Sequence, residues 1–155
     1  MSIVGHVKVD MKPVNQILRE KGLTAGGDVQ QFHTANVLRR IVKYMPYRTG
    51  ATIKLMQVQT DPSIPRIVLD VPHGKYIYHG KVMVDPVTRA AGFLTPNGWR
   101  SRKDVPKVLT NRDLHYTRTK NPRAGPYWDR ALVAAEMPAM QEDLQRYVNR
   151  KAGRT

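Results

Sequence analysis

His73, Tyr76, Tyr78 and His79 stand within the stretch His73-Gly-Lys-Tyr-Ile-Tyr-His79, and side chains of these types can ligate a metal or pass a proton. Their spacing argues against both. The two histidines lie six residues apart, not at the i, i+4 separation that puts a zinc-binding pair on one helix face, and no carboxylate stands beside them as a third ligand. Aromatic packing where a regular element turns is the better reading of this segment. Gly74-Lys75 lacks both the upstream glycine and the following Ser or Thr of a phosphate-binding loop. The only serines, Ser2, Ser63 and Ser101, sit in no nucleophile elbow, and 12 carboxylates in 155 residues are sparse for a two-metal nuclease. The expectation is therefore a protein without catalytic residues, cofactor or metal.

A different chemistry, neutralisation of an anionic partner, is written in Trp99-Arg-Ser-Arg-Lys103. Arg100, Arg102 and Lys103, with Arg89 and Lys107 nearby in the chain, could meet phosphates while Trp99 stacks on a base. The same residues equally suit a neighbouring subunit, because exposed Trp and Arg are favoured at interfaces. No zinc-finger or RNA-recognition consensus accompanies them. The whole chain carries a formal charge of +14, and residues 81 to 125 hold ten Lys or Arg against three Asp, so half the excess lies there. Such a balance points to nucleic acid or an acidic protein surface.

Around these residues the chain divides into short elements. A β-like run covers Ile3–Val9, and Asp10 caps a helix with Pro13 in its first turn and Gly22 as its stop. Asp28 is the expected N-cap of a stronger helix. Val29, Phe32, Leu38, Ile41, Val42 and Met45 fall along one face of it, Arg39, Arg40 and Lys43 mostly on the other, and Pro46 ends it. In Pro46-Tyr-Arg-Thr49-Gly50 the helix stops and turns. The alternation over 51–60 predicts a strand, paired as a hairpin with a second over 66–71, and a third covers 81–85. Residues 75–79, with Tyr76 and Tyr78, form a helical turn or bend closed by Gly80. Residues 86–113 are an extended basic loop or arm, too long to be a mere connector. A fourth strand is expected at 114–118. A final helix starts at Pro126 and runs to about residue 150, with Trp128, Leu132, Ala135, Met140, Leu144 and Val148 on its buried face and Pro138 kinking or interrupting it. Residues 151–155 form a flexible tail.

These elements amount to one α+β domain over residues 1–155. The expected architecture is a small antiparallel sheet of about four strands against a long central helix and a C-terminal helix. The apolar fraction of 41% supports one core. The chain has no cysteine, so disulfides and thiolate metal sites are excluded. No apolar run reaches the ~20 residues that span a bilayer, so no membrane partner is expected, and residues 1–10 lack the hydrophobic segment of a signal peptide.

Taken in order, Tyr44-Met-Pro-Tyr-Arg-Thr-Gly-Ala51, Val71-Pro-His-Gly-Lys-Tyr-Ile-Tyr-His-Gly-Lys-Val-Met-Val-Asp-Pro86, Leu114-His-Tyr116 and Pro122-Arg-Ala-Gly-Pro-Tyr-Trp-Asp-Arg-Ala131 resemble the minor capsid proteins of tailed phages that infect Firmicutes. They are more distantly similar to siphophage head–tail connector and tail-completion proteins. The resemblance covers roughly residues 40 to 135. It departs from the wider group at His79, where an acidic residue is common, and at Pro126-Tyr-Trp128, where Pro-Phe is common. It implies a structural virion protein at the neck, assembled in the host cytoplasm. There it would form a homo-oligomeric ring, a hexamer or dodecamer, around the channel for genomic DNA, bound to neighbouring neck and tail proteins. The competing expectation is a non-specific nucleic-acid-binding monomer or dimer.

Overall fold

The computed structural model describes residues 12–153. The expected strand at 3–9, the Asp10 cap and residues 154–155 lie outside them. Helix α1, Val14–Glu20, follows Pro13, which occupies the N-cap position and not the first turn. Gly22 closes it with φ +68°, as its position predicts.

Helices α2, Asp28–Ile41, and α5, Trp128–Ala152, form the frame. They run antiparallel in a register that the side chains state directly. Asp28 pairs with Lys151, Phe32 stacks on Tyr147 with ring centroids 4.2 Å apart, and Asn36 donates to Asp143 at 3.0 Å. Arg40 then bridges Glu136 and Asp143. Each step of four along α2 is met by a comparable step back along α5, as the 3.6-residue repeat requires of two facing helices. The N-cap of α2 is Gly27; Asp28 is the first helical residue, and its carboxylate is spent on Lys151 and on Tyr147, whose hydroxyl donates to it at 3.1 Å. A 3-10 turn over Val42–Tyr44 carries the chain to Met45, which is extended before Pro46.

The segment expected to be the first strand is helix α3, Ala51–Gln59. Ile53 and Met56 are its buried residues, three apart, so the helical period wins over the alternation that Ile53 and Leu55 suggest. Its intended partner at 66–71 has no regular secondary structure and pairs in no ladder. It is held to the end of α3 by Gln59, which donates to the Asp70 carbonyl and accepts from the Asp70 amide, and by Thr60. Helix α4, Gly74–His79, is the expected helical turn.

The fold is α+β, but the sheet is not a single one of four strands. Among the described residues there are two separate antiparallel pairs. β1, Lys81–Val84, pairs with β4, Val108–Asp113, with a register shift between Lys81 and Met83. β2, Phe93–Thr95, pairs with β3, Gly98–Arg100. The returning strand is thus 108–113, inside the expected loop, and residues 114–118 are not a strand. Helix α5 passes Pro138 without a break, reaches Ala152 and so takes up the first residues of the expected tail. Its buried residues are Trp128, Leu132, Glu136 and Met140; Ala135 is exposed. With Ile41, Tyr44, Met45, Ile53 and Met56 these apolar side chains make the core.

Candidate interaction surface: the basic hairpin arm

Three aromatic, proline and glycine junctions converge to build the base of the molecule. Gly80, at φ +68°, ends α4, and a Cβ there would lie 2.9 Å from Cβ of Pro126, so the Tyr-rich segment and the start of α5 are in direct contact. The Tyr127 amide donates to the Tyr78 carbonyl at 2.9 Å, while Tyr78 meets the rings of Tyr127 and Trp128 edge-on. Such edge-to-face pairs add about 0.5–1.5 kcal/mol each beyond burial. They help hold Tyr127 at φ 49°, a conformation unfavourable for a residue with a Cβ. Tyr47 and Ile77 pack on the same core, and a cavity of about 470 Å³ is lined by Pro46, Thr49, Gly50, Leu55, His73 and Ile77 among others. Pro46, Thr49, Gly50, Tyr78, Gly80, Pro126 and Trp128 thus lie in one structural region, with Thr49 exposed at its rim, while Tyr76 is half-buried on α4. The two histidines part company: His73 approaches the Thr52 hydroxyl at 3.3 Å and His79 the Tyr127 hydroxyl at 3.4 Å. Among the described residues no three His, Cys, Asp or Glu side chains are grouped to hold a metal ion.

Beyond β1 the chain rises into the arm. Asp85, buried, organises its root: its carboxylate accepts from the amides of Val87 at 2.8 Å and Thr88 at 3.0 Å, and the Arg102 guanidinium stands 3.3 Å away. The Thr88 amide, then the Val87 amide and Arg102, hold this carboxyl below its ordinary range against the opposing effect of burial. The Lys107 ammonium donates to the Ala91 carbonyl, and a cavity of about 170 Å³ remains between Asp85, Phe93, Val105 and Lys107. Two of the six expected contact residues, Arg102 and Lys107, therefore tie the arm to its own base.

The other four face solvent. Arg89, in the left-handed region at φ 58°, and Arg100 and Lys103 are exposed, and Trp99 is 62% exposed. Hairpin register sets Leu94 opposite Trp99, so the two share one face. Leu94 is 77% exposed and Phe93 48%. β2 and β3 contact each other and no other element to a comparable extent. The arm thus presents uncovered apolar side chains beside cations that no carboxylate of the described residues neutralises.

A second polar cluster escaped sequence reasoning. Glu136, buried on α5, accepts from Tyr44 at 2.7 Å and pairs with Arg40 and Lys43. Burial pushes its carboxyl up, but Lys43, Tyr44 and Arg40 together outweigh this and bring it down to about 2. Arg40, expected on the solvent face of α2, is instead the bridge. The cluster is fully paired and sits between two helices, which it fastens together.

Comparison with protein-family models, with curated proteins and with solved structures finds no match to this chain.

Proposed function

We propose that the protein is a structural component of a tailed-phage neck, of the minor capsid or head–tail connector type. In this reading it forms a ring around the DNA channel, joins capsid to tail and performs no catalysis. The observation that carries the reading is the arm: Phe93, Leu94 and Trp99 are held out on a hairpin with Arg89, Arg100 and Lys103 beside them. Exposed apolar surface of this kind is retained where a partner covers it. The motif order along the chain and the charge of +14, suited to a path beside DNA, support the same reading.

The test is tail attachment in particles made with Arg89, Arg100 and Lys103 changed to Glu, together with antibody labelling of wild-type particles. The expected result is label at the neck and loss of tail joining by a variant that still folds. Tails attached at normal frequency would refute the arm's role. A protein absent from particles yet retained on DNA, with affinity falling steeply as salt rises, would identify the nucleic-acid-binding alternative.

A further inference from the structure

The arm leaves open what covers it, and the chain itself offers a surface of matching chemistry. Leu55 and Val58, three residues apart on α3, are 44% and 83% exposed, and Ile64 in the following turn is 40% exposed. Asp61 starts that turn. Gln59 fixes Asp70 beside the same helix end through its two backbone hydrogen bonds, at 3.0 and 2.8 Å. Residues 55–71 hold two carboxylates against one arginine, a local reversal of sign in a chain of +14. The arm has the complementary make-up: Leu94 and Trp99 are exposed on one face of the hairpin, Arg100 follows Trp99 on the opposite face, and Arg89 and Lys103 are exposed in the chain on either side of the hairpin. Both surfaces stand exposed in the same molecule, so neither satisfies the other within one chain.

We infer that the hairpin arm of one copy docks on the exposed α3 face of a second copy, with Leu94 and Trp99 against Leu55 and Val58 and the arm's cations toward Asp61 and Asp70. This rests on, and sharpens, the ring reading above. Two different patches meet, so the contact is head-to-tail: a growing chain of copies keeps one free arm at one end and one free acceptor at the other until it closes. Local complementarity also answers the repulsion between copies so strongly cationic, because the touching surfaces are those of opposite sign.

The absence of cysteine from the sequence gives a clean test. Full-length Val58→Cys and Leu94→Cys proteins, both altered at exposed positions, are mixed under mild oxidation. A disulfide forms only where the two Cα atoms come within about 4.4–6.8 Å, so cross-linking reports this contact and not mere proximity. The mixed dimer should exceed either homodimer several-fold, and should fall to background when Asp61 and Asp70 of the acceptor copy are changed to Lys. Val14→Cys, exposed on α1, serves as the collision control against Leu94→Cys. Mixed product no greater than that control, or undiminished by the two charge reversals, would overturn the inference. The neck reading fails separately: cross-linking with no label at the neck sustains this contact and removes that role, whereas neck label without cross-linking places the ring contact elsewhere.

Discussion

At the scale of single residues, Glu136 ties α5 to α2 and to the 3-10 turn that follows it. It collects Arg40, Lys43 and the Tyr44 hydroxyl, and Arg40 passes the connection on to Asp143. Replacing one member of such a cluster leaves the others buried and unsatisfied, which costs more than the pair itself contributes. Glu136→Gln keeps the shape and removes the charge. It should cost roughly 2–3 kcal/mol near neutral pH, toward the low end for a buried pair because Lys43 is half exposed. The pH dependence has a definite sign. An ordinary carboxyl at 4.5 lies at about 2 in the fold, so the unfolded chain takes up the proton first as pH falls. The contribution is whole above 4.5 and is lost as pH falls toward 2. Urea midpoints measured down that range should drop for the wild type and drop less steeply for Glu136→Gln; parallel slopes would show that Glu136 is not the group that titrates.

Among the elements, α5 poses the sharpest question, because Pro138 sits inside it. Leu132, Glu136 and Met140 mark the buried face at four-residue intervals, which turns Pro138 to solvent, where a proline bends a helix around its core instead of breaking it. The missing amide leaves the Ala134 carbonyl without its helical donor. Pro138→Ala should therefore stabilise, by about 1–2 kcal/mol once the looser unfolded chain is set against the helical gain of ~3 kcal/mol. A thermal melt should rise by roughly 2–8 °C; an unchanged or lower midpoint would mean that Pro138 is needed for packing. This helix, α2 and the turn at 74–79 were legible because each carries its own start, stop and period. The run Ala51–Gln59 was not: Ile53 with Leu55, and in part Met56 with Val58, fit the alternation of a strand while Ile53 and Met56 fit a helix, and only the core decides. β4 was hidden for another reason. Most of its residues are exposed, so no apolar alternation marks it. The candidate arm was visible in composition, but that Arg102 and Lys107 turn inward to Asp85 and Ala91 depends on a contact across the loop that spacing cannot reveal. The ion cluster at Glu136 joins residues 92 and more apart in sequence and left no local signature.

For the molecule as a whole, stability and assembly reside in different places. Every buried apolar side chain of the described core precedes Asp85 or follows Arg123; none belongs to the arm. The hairpin over 92–101 is thus carried by the fold without contributing to its centre, and its hold on the base runs through Asp85, Arg102 and Lys107, of which only Arg102 and Lys107 lie in the arm and both lie outside that span. Replacing 92–101 by a Gly- and Ser-rich linker of equal length removes Phe93, Leu94, Trp99 and Arg100 together. None of these side chains belongs to the buried core, so the melting midpoint should move by only a few degrees. Assembly should respond in the opposite way, with tail joining lost. A chain that unfolds on this replacement would make the hairpin part of the folding unit. A chain that folds and still assembles would leave Leu94 and Trp99 exposed for no structural reason. Loss of assembly at unchanged stability is the result that a surface kept bare for a partner requires.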